Sequence, residues 1–261
     1  MSIAWHILHF LIRIGMGIAF SIAVTSPRQV TSGFFRIHLW VVMAISVLAS
    51  LVAWSVDGGS SSGLSGSVTW VAVLVAVTSY LAASCWIYES RRAGRSLTVL
   101  VTLLAGLLVV ITAGGPGHAI TLEDWPRVLG AITAGLLVGT TTAAMLLGHW
   151  YLNAPGMQLG PLRRLLVLVL ASIALRSLVC GCGLLESLQA NEAIPSFWWI
   201  FVSFRWLAGI LGTLILTLMA WLTLRVPNTQ SATGILYAAT VLAMLGELAS
   251  QLLSHELLYH L

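Results

Sequence analysis

Eight stretches of about twenty apolar residues, separated by short turn-forming breaks, constrain this chain more than any motif in it. They lie at about 4–24, 37–56, 68–89, 96–113, 128–151, 164–188, 197–224 and 232–254. Each is long enough to cross a hydrocarbon layer of roughly 30 Å as a helix. In lipid, only a segment that satisfies its own backbone hydrogen bonds is stable, so eight such segments predict an all-α, polytopic helical bundle. The breaks carry loop chemistry: Pro27 beside Arg28, a Gly/Ser run after Asp57, Arg91-Arg92 with Arg95, and turns around Pro116, Pro155, Pro195 and Pro227. No break is long enough for a soluble domain, and residues 1–261 read as a single membrane-embedded domain.

Composition supports this reading. Charged residues make up 8% of the chain, against roughly 25% in soluble domains. No basic residue precedes the first apolar run and Arg13 interrupts it, so no cleavable leader is expected. Nucleic acid is not an expected partner. The basic residues, all twelve of them arginine, gather beside the apolar segments instead. With the N-terminus outside, the inner loops hold Arg28, Arg36, Arg91, Arg92, Arg95, Arg163, Arg164 and Arg225, and the outer loops only Arg127. By the positive-inside rule both termini lie on the outer side, and the expected setting is a bacterial inner membrane.

Two constellations carry chemistry. One is built on the polar stretch from Thr140 to Met157, where Thr142, Met145 and His149 fall on one helical face at i, i+3 and i+7. His38, near the start of the second segment, lies at matching depth on another helix. Two imidazoles on different helices are what a bis-histidine haem b site in a bundle needs, and Gly148 offers room for a macrocycle. The competing reading makes both histidines interfacial, beside Trp40, Trp150 and Tyr151.

The other constellation is intramembrane charge: Arg13 with His6 and His9 on its face, Arg176, Arg205 and Glu247, with a polar stripe of Ser250, Gln251 and Ser254 following the glutamate. A charge at a helix centre costs about 2.5–3.5 kcal/mol even on the lenient scale. Four of them at similar depth are therefore expected to converge away from lipid, with Glu186 as a further acidic partner. An ion-pair network that locks the helices is one outcome. A site for haem propionates, a quinone head group or a carboxylate is the other.

Weaker signals complete the reading. His118, Glu123, Asp124, His255, Glu256 and His260 form an outer rim without recognised metal-ligand spacing. Cys180 and Cys182 point about 200° apart on a helix and, with Cys85, read as small packing residues. Nucleotide-loop, nucleophile-elbow and metalloprotease signatures are missing from the sequence. Three functions fit: a haem- or quinone-associated redox subunit of a membrane complex, a cofactor-free structural or accessory subunit, and a transporter with a buried Arg/Glu anion site. The first makes the sharpest spectral prediction.

Overall fold

The computed structural model describes residues 3–56, 64–114, 121, 124–154, 156–189, 197–226 and 228–256. Among these residues the secondary structure is helical, without strands: α1 (Ile3–Val24), α2 (Ser32–Val56), α3 (Leu64–Ile87), α4 (Arg91–Ala113), α5 (Trp125–Asn153), α6 (Gly160–Gln189), α7 (Trp198–Phe204), a π-helical segment (Arg205–Gly212), α8 (Thr213–Thr223) and α9 (Thr229–Glu256). The α7–π–α8 run is continuous. Counted as one, it makes eight helices long and apolar enough to cross a membrane.

The helices outrun the apolar segments at their ends. The second begins at Ser32 rather than 37 and the fourth at Arg91 rather than 96, so Arg36, Arg91, Arg92 and Arg95 lie in opening turns. Helical hydrogen bonding continues past the hydrocarbon edge, where arginines remain hydrated. Large apolar side chains also face outward, Leu178 at 66% and Leu103 at 65% exposure among them. An apolar exterior of this extent belongs against lipid. The chain is a multi-pass membrane protein.

Contacts divide it into two compact units, Met1–Gly139 and Thr140–Leu261, with the division inside α5. In the first unit, α1 packs on α2 and α4, and α3 packs on α2 and α4, which closes a four-helix ring. Lipid supplies no hydrophobic drive for helix association, so close approach must supply dispersion contacts instead. Gly17 provides it: a Cβ there would sit 2.7 Å from the Cα of Gly139 and would strike the carbonyl oxygen of Gly135. Aromatic packing adds to it. Phe35 stacks on Trp86 at 4.4 Å between centroids, and the Trp86 indole N–H donates to Thr98 Oγ1 at 3.3 Å. Several buried hydroxyls are satisfied within their own helices, as where Ser46 donates to the Val42 carbonyl at 2.8 Å and Thr98 to the Gly94 carbonyl at 2.7 Å.

In the second unit, α9 packs along α7, the π segment and α8, and α6 packs on α8. The tightest crossing pairs Gly209 with Gly246; a Cβ on Gly209 would lie 2.7 Å from the Gly246 Cα. Arg163 Nη2 donates to the Leu224 carbonyl at 2.9 Å, satisfying an acceptor that the end of α8 leaves open. Thr140, buried on α5, donates to Ser172 of α6 at 3.5 Å.

Candidate functional site

The second unit gathers three of the expected intramembrane charges. Arg176 is the seventeenth residue of a 30-residue helix, so at 1.5 Å per residue it lies roughly 20 Å from either end. Its guanidinium meets Glu247 of α9 in a bidentate pair, Nε to Oε1 at 2.7 Å and Nη2 to Oε2 at 2.6 Å. Ser250 stands one turn further along α9 and joins the two arginines: its Oγ accepts from Arg176 Nη2 at 3.0 Å and from Arg205 Nη1 at 2.5 Å. Arg205 Nη2 also donates to the sulfur of Cys180. All five side chains are buried, Arg205 at 2% exposure and Glu247 at 4%.

Local structure explains why these groups meet. Arg176 and Cys180 are four residues apart on α6, and Glu247 and Ser250 three apart on α9, so each pair shares a face. Arg205 is the first residue of the π segment. A π turn inserts one extra residue per turn and shifts the register of everything after it, a distortion that recurs at functional sites. The close Gly209–Gly246 crossing, one turn away, brings the two backbones near enough for Arg205 to reach Ser250.

The electrostatics are unbalanced. Among the described residues, two guanidinium groups face one carboxylate in the interior of a membrane bundle. The bidentate pair compensates Arg176. Arg205 has a hydroxyl and a sulfur as acceptors, and its Nε is buried without a partner among the described residues. Arg205's hydrogen-bond acceptors among the described residues are thus neutral groups, a setting that favours the approach of an anion.

Arg13 belongs to the first unit and is half-buried on α1, as are His6 and His9. The His9 ring lies 4.9 Å from that of Trp5. His38 is also in the first unit, buried, with Nδ1 at 2.6 Å from the Phe34 carbonyl oxygen and its ring 4.0 Å from that of Phe34. His149 is in the second unit and exposed, its Nδ1 at 3.3 Å from the Tyr237 hydroxyl. The face read as common to Thr142, Met145 and His149 is graded: Thr142 is buried, Met145 half-buried and His149 exposed.

Glu186 is exposed on α6 and does not share the burial of the cluster. Asp124 serves the turn before α5, accepting from Thr121 N at 3.0 Å and pairing with Arg127 at 3.4 Å. His118, Glu123 and His260 lie outside the described residues, as do the side chains of Ser254, His255 and Glu256. Among the described residues no three His, Cys, Asp or Glu side chains are grouped to hold a metal ion. All three cysteines are free thiols, Cys180 buried and Cys182 exposed, as expected for residues on opposite sides of one helix. Cys180 is more than a packing residue, because it serves as an acceptor for Arg205. Comparison with protein-family models, with curated proteins and with solved structures found no match.

Proposed function

We propose that the second unit is the substrate-binding part of a membrane carrier for a small monovalent anion, with Arg205 as the residue that takes the anion's charge. The single observation behind this reading is the uncompensated charge: Arg205, 2% exposed, is bonded to neutral Ser250 and Cys180 while Arg176 takes both oxygens of Glu247. One monovalent anion brings two guanidinium groups and one carboxylate to neutrality. A carboxylate suits the site best, since its two oxygens match two N–H groups of one guanidinium. Ionisable groups at this depth mark substrate pathways in membrane bundles.

Neutrality also says which form of the carrier moves easily. The loaded site has no net charge to drag through the low dielectric, whereas the empty site keeps its positive charge. The cycle therefore carries one negative charge per substrate and responds to voltage. The arginine distribution, eight on one set of loops against one on the other, supports both termini on the outer side and a bacterial inner membrane as the setting.

The test is uptake of a labelled small monocarboxylate, such as propionate, into liposomes containing the purified protein. An interior-positive potential should accelerate uptake, and Arg205→Met should reduce it to the level of empty liposomes. Uptake equal in wild type and Arg205→Met, or none above empty liposomes in either, would overturn the proposal.

A second reading keeps the histidines as haem ligands. His38 supports it: with Nδ1–H donated to the Phe34 carbonyl, the ring's lone pair lies on Nε2, the tautomer seen in many metal-ligating histidines. A dithionite-reduced minus oxidised spectrum decides it. Haem b gives an α-band that His38→Ala or His149→Ala abolishes; a featureless spectrum from folded protein made with haem supplied removes this reading.

A further inference from the structure

Gln251 is not used by the ion-pair network. It follows Ser250 on α9 and stands one helical turn beyond Glu247, so their Cβ atoms are about 5–6 Å apart on one face. It is 7% exposed, and neither its Oε1 nor its Nε2 has a hydrogen-bond partner among the described residues. Buried polar side chains are nearly always satisfied, and one with both ends orphaned calls for a specific reason. The Arg205 Nε–H is orphaned too, and the Arg205 guanidinium lies against Ser250, Gln251's neighbour in the chain. Next to each other in this part of α9 are thus a cation with an orphaned N–H, bonded to Ser250, and, at the following residue, an orphaned amide that both donates and accepts.

We infer that Gln251 is the specificity-determining residue of the anion site, and that the substrate is a 2-hydroxy monocarboxylate. This rests on the monovalent-anion reading above. The carboxylate satisfies Arg205 and can also accept from the Gln251 Nε2–H. Only a ligand with its own O–H beside the carboxylate gives Oε1 a donor. A plain monocarboxylate leaves Oε1 orphaned, and a dicarboxylate would overshoot neutrality. A 2-amino acid is excluded on charge, because its ammonium group would restore the imbalance. Sites that hydrogen-bond a substrate hydroxyl discriminate strongly against the analogue lacking it, because the protein's own polar atom is then left buried and unpaired.

Lactate and propionate share a carbon skeleton and differ by that hydroxyl, so they are the probes. Competition binding to purified wild-type protein should favour lactate by about tenfold or more. Gln251→Leu should lose the preference, binding lactate no better than propionate. Its ligand-free melting temperature should equal or exceed that of wild type, since an apolar side chain replaces an orphaned amide. Gln251→Met, closer in shape, repeats the measurement should leucine disturb folding. Equal affinities for the two probes in wild type would overturn this inference while leaving the anion site standing. So would an unchanged preference combined with a lower melting temperature in both variants, which is the behaviour of a structural amide. Binding of neither probe would overturn the anion site as well.

Discussion

The two units solve the same problem with opposite means. Helices in lipid gain nothing from hiding apolar surface, so their association needs either backbones close enough for dispersion or polar groups that bond across. The first unit relies on closeness, with Gly17 against Gly135 and Gly139 and Phe35 stacked on Trp86. The cross-helix bond shown there, from the Trp86 indole to Thr98, is neutral, and its buried hydroxyls largely bond back within their own helices. The second unit shares the glycine device at Gly209 and Gly246, and adds charge that it does not balance. The unbalanced charge is costly and needs a reason beyond stability, and that contrast is the strongest argument for placing the function in the second unit.

Four single substitutions test the contrast, in decreasing order of effect. Glu247→Leu leaves Arg176 and Arg205 buried without a counter-charge, and losing one partner of a buried pair costs about 3–5 kcal/mol. Thermal unfolding in detergent should show a large drop, mostly recovered in the Arg176→Leu/Glu247→Leu double variant, where one charge of each sign is gone. A Glu247→Leu protein that melts like wild type would break the distinction between the units. Gly17→Val and Gly209→Val force apart one crossing in each unit and should each destabilise by about 1–3 kcal/mol. Similar melting shifts for the two would show that close approach matters equally in both units. Thr98→Val removes the acceptor of the Trp86 indole and should cost about 1 kcal/mol, read from the same melts.

Much of this is legible in the sequence. Arg176, Arg205 and Glu247 stand out because a charge within twenty apolar residues has few tolerable positions, and similar depth on different helices implies a meeting point. Ser250 and Gln251 were visible as a stripe following Glu247. The π segment was not, because no residue pattern around Arg205 distinguishes its hydrogen bonding from that of an ordinary helix. In the sequence Cys180 reads as packing because a thiol is small and mostly apolar; only the arrival of Arg205 makes it an acceptor. The starts of α2 and α4 were placed late because counting apolar residues ends at the arginines, whereas the helix does not. The face of Thr142, Met145 and His149 follows from helical spacing, but spacing does not say how deep each residue along it sits.

The central claim is that the second unit holds one uncompensated positive charge and takes one monovalent anion upon it. Equilibrium dialysis of labelled propionate against purified protein measures this directly, in wild type and in Arg205→Met. The account predicts saturable binding of one propionate per chain, lost in the variant while the protein stays folded. Wild-type protein that binds neither propionate nor lactate, or a variant that binds as well as wild type, would contradict it.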